Sequence, residues 1–337
     1  MARLGGYDGI PVALPEGPLA GGEDSEGRAF GRRVCGLLVA EGLTEMVTLA
    51  FTDATTNRLL PGFVGRALAA VAIRNPLTSE MSELRRSPLA GLVRALVRNR
   101  AAGARFVGAF ELGKGYGCDP DGRRREPRVL TLLLHGHWPA RGVEREGPAV
   151  DLLDLKGALE SVFAGLGIDP GRIRWRPEGE AIFLHPGKTA CVEVDGTLLG
   201  MAGALHPEVL QAFDLPAEVW VGELDLEGLA HYVPRRVALK ALPRFPAVTR
   251  DIAVIVDEPF RAGDIVEEVR TLGNPQIESV RLFDCYRGAP VPADRKSLAY
   301  TIAYRAAERT LTDDEVNALH AGVIEHLSGR FRVEFRS

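Results

Sequence analysis

Residues 297–327, SLAYTIAYRAAERTLTDDEVNALHAGVIEHL, run from a strand into a helix, and the junction between them is marked by chemistry. Thr312 and Glu315 have the spacing of a capping box, in which the Thr side chain and the Glu carboxylate each satisfy a free N–H at a helix start. The helix is therefore expected over Asp313–Leu327 and the strand over Ser297–Tyr304. Working outward, residues 277–286 (IESVRLFDCY) read as a strand, 263–272 as a helix, 250–256 (RDIAVIV) as a strand and 332–335 as a last short strand. Strand–helix–strand–strand–helix–strand is the split βαβ, ferredoxin-like order. It buries one face of a sheet under two helices and leaves the other face free. A Pro-rich passage, Pro234–Pro246, sets this part off from what precedes it.

Upstream the pattern is different. Phe30, Val34, Leu37 and Leu38 fall on one face of a helix expected over Arg28–Glu41 and stopped by Gly42. A strand, EMVTLAFTD (45–53), is expected next. Ser87-Pro88 starts another helix, because Ser caps free N–H groups and Pro at the first position forfeits no bond. ARFVGAFELG (104–113) and RVLTLLLHGHW (128–138) read as strands, Asp151–Leu166 as a helix ended by Gly167, and CVEVDGTLLGMAGAL (191–205) as a hairpin turning at Asp195-Gly196. With VWVGELDL (219–226) as its neighbour, this makes an antiparallel sheet with helices against it, an α+β arrangement. The opening MARLGGYDGIPVALPEG lacks apolar periodicity and reads as the frayed end of something else.

Composition narrows the function classes. The 337 residues suit two or three domains, and no apolar run approaches the roughly 18 residues of a membrane helix. With no signal-peptide pattern at the N-terminus, a cytoplasmic location and no membrane partner are expected. Cys35, Cys118, Cys191 and Cys285 are too scattered for a zinc or redox motif. His135 and His137, at i and i+2 on a strand, have no evident third or fourth ligand and read as surface histidines, so no metal site is expected. A net charge of −4, and 14 Lys/Arg against 15 Asp/Glu in residues 240–337, exclude a general nucleic-acid sponge. Any RNA contact must be local and selective.

The segments GLTEMVTLAF, RNPLTSEMSELRRSPLAGLV, FELGKGYG, DLKGALESVFAGLGI, FLHPGKTACVEVDGTLLGMAGALHPEV, RFPAVTRDIAVIVDE, ESVRLFDCYRG, KSLAYTIAYR and RTLTDDEVNALH, in this order and spacing, resemble the bacterial phenylalanyl-tRNA synthetase β subunit, C-terminal portion. The resemblance implies a tail of an upstream helical DNA-binding-like domain (residues 1–16), a class II synthetase-like, catalytically silent core (17–232), a linker (233–239) and a ferredoxin-fold anticodon-binding domain (240–337). It implies a scaffold for the catalytic α subunit in an α2β2 assembly and a contact to tRNA(Phe). ATP and Mg2+ would serve the parent enzyme, with no cofactor bound by this chain. No editing domain has a counterpart here.

The residues agree with a silent core. VWVGELDLEGLA lacks the Gly-rich run followed by Arg that clamps phosphate in class II catalysts. Arg85 and Arg86 invite a phosphate role but read as solvated or interface arginines, so no catalytic residue is expected. Phe30, Val34 and Leu38 are candidates for an apolar seam toward the α subunit. The resemblance assigns Asp284, Tyr286 and Ser297 to the first anticodon base, a guanine. The carboxylate can accept from guanine N1–H and N2–H, the ring can stack and the hydroxyl can bond. Val248 is a candidate apolar wall, and Arg287, Arg295 and Lys296 are candidate phosphate contacts. A different class remains open, a stand-alone RNA- or protein-binding adaptor built from the same domains.

Overall fold

A computed structural model describes residues 2–6, 8, 25–140, 142, 147–177, 181–215, 218–235, 242–331 and 333–335. Most of the expected tail (1–16) and the 236–239 part of the expected linker lie outside them. The chain divides into two compact units, residues 1–237 and 238–337.

The first unit is built on a seven-stranded sheet. Its main elements are α1 (Glu26–Ala40), β1 (Thr44–Glu45), α2 (Leu89–Ala101), β2 (Phe106–Lys114), β3 (Arg128–Gly136), α3 (Leu152–Leu166), β4 (Ile173–Pro177), β5 (Leu184–Val194), β6 (Thr197–Leu205) and β7 (Trp220–Asp225). The strand order is β1-β2-β3-β7-β6-β5-β4, antiparallel throughout except for the parallel β1–β2 pair. Local chemistry sets these elements. Asp151 caps α3 by accepting from the N–H groups of Leu153 and Asp154, and Asp154 returns the bond to the Asp151 N–H. Gly167 ends the same helix at φ 82°, where only glycine sits without strain. Asp195 and Gly196 both take left-handed φ, the two-residue turn whose twist matches a hairpin.

The sheet is covered on both sides. On one face α1 and α3 supply Val34, Leu38, Leu155, Leu159, Val162 and Phe163 to a core with Phe110, Leu130, Leu132 and Leu224. On the other, α2 packs Leu89, Leu92, Val93 and Leu96 over Val107, Ala109, Leu133, Met201 and Val221. The expected strand over 45–53 is not continuous: only Thr44–Glu45 and Phe51–Thr52 pair. Between them the Thr48 hydroxyl is drawn inward to Glu111, while Val47 and Leu49 are left exposed.

The second unit contains β8 (Val248–Asp257), α4 (Ala262–Thr271), β9 (Ile277–Tyr286), β10 (Arg295–Tyr304), α5 (Asp313–Arg330) and β11 (Glu334–Phe335). Sheet order β9-β10-β8-β11, all antiparallel, is that of a ferredoxin-like fold. The Thr312/Glu315 capping box is formed, with the Thr312 hydroxyl accepting from the Glu315 N–H and the Glu315 carboxylate accepting from the Thr312 N–H. Ile252, Val254, Val256, Leu298, Tyr300, Ile302 and Tyr304 point to the helices and meet Ile265, Val269, Val316, Val323 and Leu327. The other face of this sheet carries no helix among the described residues.

Candidate nucleic-acid interface

The open face follows from strand register, because directly opposed residues of an antiparallel pair point to the same side. Tyr286 opposes Ser297, which opposes Ile255 on its other flank. One step along, Asp284 opposes Ala299 and Ala299 opposes Ala253. The next row is Arg281, Thr301 and Asp251, with the Thr301 hydroxyl donating to the Asp251 carboxylate at 2.6 Å. Since Leu298, Tyr300 and Ile302 face the helices, these rows face away from them. The middle strand shows Ser297, Ala299, Thr301 and Ala303, so the face is a shallow floor of small side chains flanked by the longer ones of β9. A flat base can lie on such a floor.

The geometry brings Asp284, Tyr286 and Ser297 together. Asp284 is exposed, and Tyr286 is 42 % exposed with its hydroxyl donating to the Ala289 carbonyl at 2.9 Å. That bond holds the ring in place while leaving part of it open for stacking. Ser297 is buried in the floor beside it. Val248 is not part of this group. It opposes Tyr304, a helix-facing residue, and packs into the core of the unit. Seven residues separate it from Ile255, or roughly 23 Å along the strand. The alternation of β8 thus places Val248 on the wrong face and at the wrong end for an apolar wall.

The three candidate phosphate ligands are all engaged. The Arg287 guanidinium donates from Nε and Nη2 to Glu258 at 3.0 and 2.8 Å, which holds the Glu258 carboxyl below the usual carboxylate range. Arg295 pairs with Glu334 at 2.5 Å and with Asp257 at 3.3 Å. Lys296 Nζ donates to the Glu258 carbonyl at 2.6 Å. A phosphate would have to compete with these partners. Two residues went unnoticed at the level of sequence. Phe283 is half exposed at a slip in register between Leu282 and Asp284, and Arg281 stands one ladder row from Asp284. Period-two counting puts Arg281 and Asp284 on opposite faces, so only the slip reveals them as neighbours.

In the first unit several expectations are overturned. Val34 and Leu38 are 0 % exposed, locked between their helix and the sheet, and Phe30 packs against the same core. The first two have no surface to offer a partner. Apolar side chains that do reach outward include Val39 at the end of α1, Leu153 and Ile182, and a group that follows the helix: Val47 is 90 % exposed, Leu77 is 91 % exposed, and Leu49 and Phe51 are open as well. Arg85 is buried and Arg86 half-buried, and both are tied within the unit. Arg85 forms a buried ion pair with Glu111, and Arg86 donates to the Asn57 and Leu68 carbonyls at 2.6 and 3.1 Å. His135 is also buried, its Nδ1 2.9 Å from the Glu218 carbonyl oxygen, and burial lowers its pKa. Among the described residues no three His, Cys, Asp or Glu side chains converge as a metal site, and no helix is long and apolar enough to cross a membrane.

Known proteins can now be set beside this geometry. Residues 243–336 match the family described as the ferredoxin-fold anticodon binding domain, which gives the class of the second unit. Residues 10–226 match the phenylalanyl tRNA synthetase beta chain CLM domain, and the chain belongs to the phenylalanyl tRNA synthetase beta chain family. It is 37% identical to the phenylalanine–tRNA ligase beta subunit of Moorella thermoacetica, over 100% of this chain and 42% of that one. For the same subunit of Geobacillus kaustophilus the identity is 35%, over 100% and 41%. The chain thus spans about two fifths of the length of these relatives. A solved pyrrolysyl tRNA synthetase, PylSc of Desulfitobacterium hafniense, aligns with a TM-score of 0.46 and 15% identity over 60% of this chain and 64% of that one.

Proposed function

We propose that this chain is the non-catalytic C-terminal portion of a phenylalanyl-tRNA synthetase β subunit, which scaffolds a catalytic α subunit and reads the tRNA(Phe) anticodon. Residues 17–232 form a class II synthetase-like core, residues 240–337 the anticodon-binding domain, residues 233–239 the linker and residues 1–16 the tail of an upstream domain. The parent enzyme is an α2β2 assembly working in the cytoplasm, joining phenylalanine to tRNA with ATP and Mg2+. Family membership supports this reading, and one observation carries it: Asp284, Tyr286 and Ser297 meet on the uncovered face of the ferredoxin-like sheet. A guanine stacked on Tyr286 presents its N1–H and N2–H edge to Asp284. The seam toward the α subunit runs through Val47, Leu49, Phe51 and Leu77, in place of the buried residues of α1.

Fluorescence anisotropy with an RNA hairpin carrying a seven-nucleotide loop tests the reading. The chain should prefer a loop with guanine at the first anticodon position over one with adenine there. Tyr286→Ala should weaken binding by about 1–3 kcal/mol, the worth of one base–aromatic stack, and Asp284→Asn should erase the preference. Equal binding of both loops, unchanged by Asp284→Asn, sinks the proposal.

A further inference from the structure

The open face needs a cation, and the register of β9 supplies one. Arg281 and Asp284 are three residues apart, an odd separation that sends side chains to opposite faces of a regular strand. Here Leu282 opposes Tyr300 and Asp284 opposes Ala299, so Phe283 is an extra residue without a partner across the ladder. This β-bulge cancels the parity. Arg281, opposed to Thr301, therefore stands on the same face as Asp284 and Tyr286. Bulges re-aim side chains in this way beside functional sites.

The charges around Arg281 set it apart. Arg287, Arg295 and Lys296 are neutralised or tied within the unit, as are Arg250 by Asp313 and Arg305 by Glu278. Arg281 is exposed and has no ion-pair or hydrogen-bond partner among the described residues. The face itself carries four carboxylates, Asp251, Asp257, Asp284 and Glu334, which repel a polyanion; Asp257 and Glu334 share the Arg295 guanidinium. RNA reaching the Tyr286–Asp284 pair must cross that negative ground. A guanidinium one ladder row from Asp284, roughly 7 Å along the strand, is placed to hold it.

We propose that Arg281 binds a phosphate adjoining the base held by Tyr286 and Asp284, and is the electrostatic anchor of the RNA site. The inference rests on the anticodon-reading proposal but makes a separate demand. A phosphate contact carries no sequence information, whereas the Asp284 contact does.

The test measures binding of the full chain to the guanine-loop and adenine-loop hairpins across a salt series. Arg281→Ala should weaken both by about tenfold at low salt, the worth of one charge-assisted bond. It should also flatten the slope of log affinity against log salt by about 0.7, the single-strand value for one phosphate. Arg281→Lys, which keeps the charge, should restore the slope. Arg281→Ala with unchanged affinity and slope, while Tyr286→Ala and Asp284→Asn weaken binding, overturns the anchor and spares the base reading. A flattened slope with Asp284→Asn silent does the reverse. No binding of either hairpin by the unaltered chain overturns both.

Discussion

The guanidinium of Arg85 lies 2.7 Å from the carboxylate of Glu111, with the two side chains only 5 % and 3 % exposed. The Thr48 hydroxyl completes the group, accepting from Arg85 and donating to Glu111, each at 2.7 Å. Two charges this deep are tolerable only together, because each neutralises what would otherwise be a bare ion in the protein interior. Arg85→Met should therefore destabilise the first unit by about 3–5 kcal/mol, and Arg85→Met with Glu111→Leu should recover most of the loss. Urea unfolding of the single and double variants measures both.

Glu223 is opposed to Thr131, which is opposed to Glu111, so the three form one row across the sheet. Burial pushes the Glu223 carboxyl up to about 7 from an ordinary 4.5, against the pull of the Phe63 N–H, the Ser87 hydroxyl and the charges of Arg85 and Arg66. A folded-state value above the unfolded one means that the folded form holds the proton longer. The contribution of this one group is fully present below pH 4.5 and is lost as pH rises through about 7, a change of about 3 kcal/mol. Glu223→Gln should flatten the pH dependence of the urea midpoint between pH 5 and 8. An unchanged profile would assign that slope to other groups.

Exposed and buried apolar residues should separate in a capture assay with a cognate α subunit. Val47→Asp, at a side chain 90 % exposed, should leave the thermal midpoint within a few degrees and weaken capture at least tenfold. Val34→Asp should instead unfold the unit, since it sets a charge among Leu155, Leu159 and Phe163. Full capture by a folded Val47→Asp chain would remove this strip from the interface.

Thr312→Ala should cost about 1 kcal/mol in the second unit, because the hydroxyl satisfies a free N–H at the start of α5. Thr312→Ser keeps the acceptor and should cost much less. Equal losses in the two variants, read from urea unfolding, would point to the methyl group instead of the cap.

How much of this was legible in the sequence depends on the range of the forces involved. The second unit was readable almost to the residue, since capping boxes, alternation and glycine stops act within a few positions: Ile277–Tyr286 is the strand expected, and Asp313 opens the helix expected. The ferredoxin-like order followed from the succession of elements. What escaped depends on partners far away in the chain. EMVTLAFTD alternates like a strand, yet its centre is held by a bond from Thr48 to Glu111, 63 residues on. Arg85 looked solvated because its neutralising partner lies 26 positions downstream. Val34 and Leu38 lie on the apolar stripe that sequence reading found, but periodicity alone does not say whether a stripe meets its own sheet or another chain. Val248 was misplaced because position in a motif does not fix which side of a strand a residue occupies.

The slip at Phe283 has a consequence for the solution behaviour of the protein. β9 is an outer strand, paired among the described residues only with β10, so its outward N–H and C=O groups are a template on which a second sheet could grow. A regular ten-residue edge would invite copies of the chain to zip together. Two breaks in register, between Ile277 and Ser279 and between Leu282 and Asp284, interrupt that template, and an uncompensated arginine stands between them. The irregularity that brings Arg281 to the face of Asp284 also discourages association of like edges. Straightening β9 by deleting Phe283 would thus be expected to make the domain more prone to aggregate.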